Sequence, residues 1–356
     1  MFNKIVLKYN VHGIGIYIEK SDKFWNKIVE SKLANQLSGF EDSSGSLICQ
    51  KMIIRDYANF RIQDLGKGVF TSENCLYFKD LFIDPKAKIA FKLGANILEL
   101  WVDRNAWFSI PYMLQILFIQ RNLAFVHAAA ISINGKGVLL PAFGGVGKTA
   151  FISEVAKAHS VKILGDDLIL MDQRAFLYPY YRPFCLYSYH KDLFPDFFKC
   201  HKVIYKKPTL LNRALRKLKY VLKVRDYSVY GYIPVSPFKL FDQSKIERTK
   251  IPLTHIFLLR KIRNISKPMI CNSISPEFAT NFCISVFIQE FSGLLKVISN
   301  FLIQEGRGFL PICESFLNIY YRSFRDKVIK AIDIPEEIEI KKTALLLKEI
   351  VLQMVD

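Results

Sequence analysis

Residues 142–149 have the types and spacing needed to hold a chain of phosphates. They read Ala-Phe-Gly-Gly-Val-Gly-Lys-Thr, the pattern of a Walker A loop with alanine in its first position. Glycines allow tight, partly left-handed turns in which consecutive backbone N–H groups donate to phosphate oxygens. Lys148 brings a positive charge to the β- and γ-phosphates, and the Thr149 hydroxyl is a ligand for Mg²⁺. We therefore predict nucleotide binding by one continuous set of residues: Gly144, Gly145, Val146, Gly147, Lys148, Thr149 and Ala150.

The sequence on both sides of this loop has the pattern that the motif requires. Residues 137–140 form a short apolar run that predicts a buried strand, and residues 150–158 have apolar side chains spaced to bury one face of a helix. The N-terminus of such a helix directs its dipole and its unpaired N–H groups at the same anion. A glycine-rich turn with a chance Lys-Thr is the alternative, and the order strand, loop, helix disfavours it.

Two carboxylates follow the next apolar segment. Residues 160–164 predict a second strand, and Gly165-Asp166-Asp167 comes directly after it. One carboxylate of such a pair can bind Mg²⁺ while the other accepts the proton of an attacking hydroxyl. The alternative is an Asp-Asp turn that only ends the strand.

His127 lies just before a strong hairpin signal. Asn134-Gly135 stands between two apolar runs, which predicts a tight antiparallel hairpin. The first strand, residues 125–133, contains His127, and the second strand leads into the glycine-rich loop. From this position His127 either reaches the γ-phosphate region or is a hydrogen-bonded histidine of the core. The spacing alone does not choose between the two.

His127, the loop and the Asp pair together resemble the HPr kinase/phosphorylase family, specifically its C-terminal catalytic domain, and related serine kinases. The resemblance covers residues 124–172. His127 precedes Lys148 by 21 residues, the separation expected in that family, and the Asp pair closes the next strand. Ala150 stands where HPr kinases have an acidic residue, and no segment matches the one tied to their phosphorylase activity. HPr itself is therefore not the expected substrate.

The resemblance implies a P-loop kinase that uses ATP and Mg²⁺, with a fold close to that of phosphoenolpyruvate carboxykinase. It implies that Asp167 is the catalytic base, with Asp166 the less favoured residue for that role. Asp166 and Thr149 would then hold the metal ion. Lys148 would stabilise the transferring phosphoryl group, and His127 would assist beside the phosphates or the Asp pair.

The expected fold class is α/β in a mixed α+β arrangement. We predict a β-rich accessory domain at residues 1–120 and an HPr-kinase-like catalytic domain at residues 121–356, in which the pattern after residue 268 is mainly helical. The expected activity is phosphorylation of a serine hydroxyl on a peptide or protein, with natural-product precursor peptides among the acceptors considered. A kinase of a free small molecule and a non-catalytic nucleotide-binding regulatory module are the alternatives.

The charge distribution indicates an acidic partner. The formal net charge is +18, and residues 202–225 contain nine Lys or Arg and no Asp or Glu. Within them, residues 209–224 predict a helix with one leucine stripe and a basic remainder. This helix could dock an acidic peptide or protein substrate, lie on an anionic membrane as a peripheral contact, or have only a structural role. No recognised nucleic-acid-binding module accompanies the charge.

The remaining features concern location and isolated residues. The seven cysteines form no Cys-x-x-Cys pair, which favours free thiols in a reducing cytoplasm, and the most apolar span, residues 106–119, is too short to cross a membrane. Homo-oligomerisation is expected only by analogy, since HPr kinases form hexamers.

His12 stands alone, which favours a structural role. Arg182 is the single charge of the aromatic segment 178–184, where it either contacts a phosphate or carboxylate or stacks on a tyrosine.

Overall fold

The chain folds as a mixed α/β protein with two large sheets and several helices, so the α/β class is confirmed. The computed structural model describes residues 5–22, 25–26, 36–41, 47–61, 70–72, 75–78, 80–86, 88–103, 110–200, 232–304 and 310–355. The basic helix predicted at residues 209–224 lies outside these ranges. Among the described helices, none is long and apolar enough to cross a membrane.

The first sheet is formed by the N-terminal part of the chain. Its eight strands lie in the order β1-β2-β3-β8-β7-β6-β5-β4. Buried and partly buried residues alternate along β8, as expected for a strand with one face toward the core. The strands are β1 Ile5–Val11, β2 Ile14–Glu19, β3 Gln50–Asp56, β4 Phe70–Ser72, β5 Cys75–Phe78, β6 Leu81–Asp84, β7 Ile89–Leu93 and β8 Ile97–Val102.

The second sheet carries the loop with the Walker A pattern. Its central strands β11, β17 and β19 run parallel to one another, and at one side β10 pairs antiparallel with β11 and with the outer strand β12. The strands are β9 Leu123–Val126, β10 Ala128–Ile133, β11 Lys136–Pro141, β12 Val161–Gly165, β13 Ile169–Asp172, β14 Phe176–Tyr178, β17 Ile251–Ile262, β18 Met269–Cys271 and β19 Val328–Pro335. A separate pair consists of β15 Phe184–Leu186 and β16 Ile233–Val235.

The hairpin predicted at Asn134-Gly135 is confirmed. Ile133 of β10 stands opposite Lys136 of β11, so the turn has two residues. Both turn residues have left-handed backbone angles, with φ of 51° at Asn134 and 80° at Gly135. Asn-Gly is the residue pair that tolerates this geometry best.

The helices cover both faces of the second sheet. Successive residues of β10 point into two buried clusters on opposite faces of the sheet. Ala128 and Ala130 belong to the first cluster, and Ala129 and Ile131 belong to the second. Helices α2 and α7 pack together in the second cluster, whereas α1, α5, α6 and the first sheet contribute to the first. The helices are α1 Ile110–Ile119, α2 Lys148–Val155, α3 Pro195–Cys200, α4 Pro237–Leu240, α5 Pro276–Gln304, α6 Leu310–Phe324 and α7 Ile340–Val355.

One prediction about strands is wrong, and another is incomplete. The chain after residue 268 is mainly helical, as predicted, but it also contains β19, which lies between α6 and α7 and pairs with β17 over eight residues. The strand predicted at residues 125–133 is broken at His127: β9 pairs with β13, whereas β10 pairs with β11 and β12. The chain changes partners at this residue, which places His127 in the bend between two strands rather than within one.

Candidate functional site

The glycine-rich loop connects the end of β11 to the start of α2. Gly147 is the residue before the helix and has a φ of 106°, and Gly145 has a φ of 77°. Any side chain at these two positions would be strained, which explains why glycine is needed there. The first N–H groups of a helix have no partner within the helix. The start of α2 therefore presents donors at the loop, as anion binding requires.

Lys148 lies across this loop. Its Nζ donates to the carbonyl oxygens of Ala142 at 2.9 Å and Phe143 at 3.2 Å, and the residue is 7% exposed. Burial lowers the pKa of Lys148, while the negative charges of Asp167, Asp166 and Glu290 act to raise it. The ammonium group thus faces carboxylates from two separate segments of the chain.

Asp166 is buried beside Thr149. The Thr149 Oγ1 donates to Asp166 Oδ2 at 2.5 Å, and Asp166 is 5% exposed. Burial raises the pKa of Asp166 to about 6, against the opposing effect of the Thr149 hydrogen bond. The other oxygen, Oδ1, is buried and has no hydrogen-bond partner among the described residues. An unpaired buried carboxylate oxygen is costly, so this atom suggests a missing ligand.

The residues at this position fit a magnesium ion. The unpaired Asp166 Oδ1 and the Thr149 hydroxyl are hard oxygen donors next to a phosphate-binding loop. Mg²⁺ usually takes only one or two protein oxygens and completes its shell with phosphate oxygens and water. Accordingly, no group of three or more His, Cys, Asp or Glu side chains is gathered as a metal site within the described ranges.

Asp167 differs from Asp166 in its exposure, its hydrogen-bond partners and the direction of its pKa shift. Its side chain is 39% exposed, its Oδ1 lies 2.7 Å from His127 Nε2, and its Oδ2 accepts a hydrogen bond from the Arg182 guanidinium. Burial acts to raise the pKa of Asp167, but the charges of Arg182, His127 and Lys148 outweigh this and hold it well below the usual value. Asp167 also has a left-handed backbone with a φ of 77°, which costs about 1–2 kcal/mol.

His127 connects Asp167 to the loop. It is 4% exposed, and its Nδ1 lies 2.9 Å from the Ala142 carbonyl oxygen, which also accepts from Lys148. Both partners of the ring, a carbonyl and a carboxylate, are acceptors. The ring therefore bridges the loop backbone and the Asp167 carboxylate. The structure brings His127 into contact with Asp167, which is one of the two positions that the family resemblance implied for it.

Arg182 reaches Asp167 because its segment packs closely on the end of β12. The Tyr180 N–H donates to the Leu164 carbonyl at 3.2 Å. A Cβ atom at Gly165 would lie 2.6 Å from the Tyr180 carbonyl oxygen, so a glycine is required for this approach. The sequence had indicated a carboxylate partner as one option for Arg182, but not that Asp167 would be that partner.

Glu290 of α5 also contacts the loop, which nothing in the local sequence indicated. Its Oε1 accepts from the Gly144 N–H at 3.1 Å. The rings of Phe143 and Phe282 meet edge to face, with their centroids 5.6 Å apart, so α5 lies over the loop. An acidic residue on the exposed face of a long amphipathic helix gives no signal of such a contact.

The structure brings the site residues predicted from the sequence together around the glycine-rich loop. His127 links Asp167 to the Ala142 carbonyl to which Lys148 also donates, and Thr149 and Asp166 form a second hydrogen-bonded pair beside them along the chain. Two of the predicted loop residues, Val146 and Ala150, are buried in the cluster around α2, so only their backbone groups are available to a ligand.

No model of a protein family matches the chain, and no curated protein matches it.

Proposed function

We propose that this protein is an ATP- and Mg²⁺-dependent serine kinase with an HPr-kinase-like P-loop core, acting on a peptide or protein. The observation that supports it best is the arrangement of side chains at the loop. It brings together a phosphate-binding lysine, a threonine beside a buried carboxylate, and a second, ionised carboxylate at the surface, in two contact sets that adjoin along the chain. A phosphoryl transferase needs these three elements to hold phosphates, hold a metal ion and accept a proton.

In this proposal the loop holds the phosphates. The backbone N–H groups of residues 144–149 and the Lys148 ammonium bind the β- and γ-phosphate oxygens. Thr149 and Asp166 would hold Mg²⁺, which when bound neutralises charge on the same oxygens. To reach the γ-phosphate, Lys148 exchanges its bonds to the Ala142 and Phe143 carbonyls for bonds to phosphate.

Asp167 receives the proton of the acceptor. The hydroxyl oxygen of the acceptor forms a bond to the γ-phosphorus as the bond to the β–γ bridging oxygen breaks, and ADP leaves. The hydroxyl proton passes to the Asp167 carboxylate, which is ionised because of the cations around it. His127 keeps Asp167 oriented, since its ring is anchored on the other side by the Ala142 carbonyl.

The surroundings of the two carboxylates support an acceptor that arrives from solvent. Asp166 is buried, whereas more than a third of the Asp167 side chain is accessible. A hydroxyl on a peptide can approach only an accessible base. The formal net charge of +18 favours an acidic substrate. The described cysteines are free thiols, which supports the cytoplasmic location that we assign.

Labelled ATP tests the assignment directly. The purified protein, with Mg²⁺ and γ-labelled ATP, is incubated with a serine-containing peptide library and, separately, with free serine and other small alcohols. Mass spectrometry then shows which acceptor gains phosphate. We expect label on peptides and none with the variant K148M. Label on a small alcohol alone would make the protein a small-molecule kinase, and nucleotide binding without transfer to any acceptor would make it a regulatory module.

A further inference from the structure

We propose that the N-terminal part of the chain is a component of the acceptor half of the site: residues 38–40 position the segment 178–184, and this segment positions the side chains that handle the proton. The inference rests on the proposed kinase function. It makes Phe40 a positioning residue that acts through the segment 178–184. Phe40 should therefore affect phosphoryl transfer and leave nucleotide binding unchanged.

The first argument is that Tyr180 contacts both strands that lead to the proton-handling side chains. Its N–H donates to the carbonyl oxygen of Leu164 in β12 at 3.2 Å, two residues before the Asp pair. Its ring meets Phe125 of β9 edge to face, with centroids 4.9 Å apart, two residues before His127. A Cβ atom at Gly165 would lie 2.6 Å from the Tyr180 carbonyl oxygen, so the backbones are in close contact there. A displacement of Tyr180 would therefore displace the ends of β9 and β12.

The second argument is that residues 39 and 40 pack against the same segment. Phe40 is 7% exposed, and its ring stacks on Tyr181 with centroids 5.0 Å apart and lies 5.8 Å from the Tyr180 ring. Gly39 has a φ of 89°, and a Cβ atom there would lie 2.8 Å from the Tyr181 ring. The N-terminal part of the chain is thus in direct contact with both tyrosines.

The third argument is that the segment depends on such contacts for its position. Residues 179–183 form neither helix nor strand, so no ladder of backbone hydrogen bonds fixes them. Tyr181 Oη donates to the Glu247 carbonyl at 2.7 Å, which leaves the stacked ring of Phe40 as the contact that the N-terminal part supplies to Tyr181. Loss of that ring removes packing from a segment that has little regular structure of its own.

The fourth argument is that the two halves of the site belong to different buried clusters. Phe40, Tyr180 and Phe125 lie in the first cluster, whereas Val146 and Ala150 of the phosphate loop lie in the second, on the other face of the sheet. A change of packing at Phe40 therefore acts on the acceptor half and leaves the phosphate loop in place.

Matched substitutions in the full-length protein separate positioning from a general loss of stability. F40L removes the stacked ring and keeps an apolar side chain, and F40Y keeps the ring. F82L makes the same change at a buried phenylalanine of β6, whose ring stacks on Phe91 within the first sheet. Melting curves give the stability of each variant, and calorimetry gives its affinity for ATP with Mg²⁺. Transfer from γ-labelled ATP to the serine-containing peptide library gives the reaction rate, and hydrogen exchange gives the protection of the Tyr180 N–H.

We expect F40L to transfer phosphate about tenfold more slowly at saturating ATP, because a small misplacement of catalytic groups is costly. Its affinity for ATP should stay within about twofold of wild type, since the loop is unchanged. F40Y should restore the rate, and F82L should keep it despite a similar loss of stability. The Tyr180 N–H should lose protection in F40L and keep it in F82L.

Equal transfer rates and equal protection of the Tyr180 N–H in F40L and F82L would overturn the inference and leave the kinase assignment intact. Weaker ATP binding in F40L alone would also overturn it, because the effect would then not be confined to the acceptor half. Wild-type protein that binds no ATP would overturn the kinase assignment, and protection of the Tyr180 N–H would still decide whether Phe40 holds this segment.

Discussion

The two adjacent aspartates, Asp166 and Asp167, have the same side chain but differ in burial, contacts and pKa. Asp166 is buried with one oxygen on Thr149 and one unpaired, and its pKa is raised to about 6. Asp167 contacts Arg182 and His127, and its pKa is depressed. A pair whose pKa values are pushed in opposite directions has two separate roles. The buried member suits a metal ion, and the ionised member suits proton transfer.

We expect D167N to bind nucleotide but fail in transfer. Asparagine cannot accept the hydroxyl proton, and loss of a general base lowers rates by about 10²–10⁴-fold. The affinity for ATP should stay within a few-fold of wild type, because the loop and Lys148 are unchanged. Calorimetry and a phosphotransfer assay measure the two quantities, and D192N, at an exposed aspartate, is the control. Normal transfer by D167N would remove Asp167 from the proposed role.

We expect T149V to lose the contribution of Mg²⁺ to ATP binding, whereas T149S retains it. Valine has a similar shape but no hydroxyl, so it removes one metal ligand and leaves Asp166 Oδ2 without its donor. The affinity for ATP is measured with Mg²⁺ and with a chelator. The gain from Mg²⁺ should fall by about tenfold in T149V. An equal gain in T149V and wild type would show that the Thr149 hydroxyl does not hold the metal.

At the scale of elements, helix α5 contacts the glycine-rich loop through the side chain of Glu290. Glu290 accepts the Gly144 N–H, and its charge acts on Lys148. A carboxylate therefore engages groups that the proposed function assigns to phosphate. In the proposed function the triphosphate would displace this carboxylate, and the repulsion between the two anions would add to the cost of binding.

We expect E290Q to bind ATP about two- to fivefold more tightly than wild type. This range corresponds to the small interaction energy of a solvent-exposed charge pair, which is at most about 1 kcal/mol. The glutamine keeps the shape of the side chain and removes the charge that competes with phosphate. E277Q is the matched control, because it removes one charge from the first turn of the same helix. Weaker binding in E290Q alone would mean that Glu290 helps to hold the nucleotide or its metal ion instead.

The sequence could predict those elements that local signals define. The Asn134-Gly135 turn, the run into the loop and the first core helix follow from turn chemistry and apolar spacing. It could not predict that the chain changes strand partners at His127, since that break depends on β13, more than forty residues later. Nor could it predict the Arg182 and Glu290 contacts, because each joins a surface charge to a distant segment.

β19 was missed for a different reason. Residues 328–335 alternate apolar and polar side chains for part of their length, but they stand between two helical patterns. In this protein the strand is stabilised by pairing with β17 along eight residues, a long-range contact that the surrounding helical pattern conceals. Tertiary pairing overrides local propensity in such strands.

On the scale of the whole molecule, the first sheet supports the segment that holds Arg182. His12 Nε2 lies 2.7 Å from the Pro179 carbonyl oxygen, and the Phe40 ring stacks on Tyr181 with centroids 5.0 Å apart. Arg121 donates to the His12 carbonyl at 2.5 Å. The turn between β1 and β2 and the Phe40 ring thus contact the segment 178–184, which also contains the Arg182 that contacts Asp167.

This junction should make the fold sensitive to acid. Burial lowers the pKa of His12 to about 4, helped by the charge of Arg121, although the Pro179 hydrogen bond opposes the shift. An unfolded histidine has a pKa of about 6.5, so between pH 6.5 and 4 the unfolded chain binds a proton that the folded chain does not. Stability therefore falls as the pH drops through this range, by up to ~2 kcal/mol after allowance for partial exposure.

We expect H12N to flatten this pH dependence. Asparagine does not titrate and tolerates the left-handed backbone at this position, where φ is 48°. At pH 7 the variant should be less stable by about 1 kcal/mol, because its shorter side chain loses the bond to Pro179. Denaturant unfolding between pH 7 and 4 measures both effects, with H159N, at an exposed histidine, as the control for removing an imidazole. If H12N and wild type lose stability in parallel as the pH falls, the acid sensitivity lies elsewhere in the molecule.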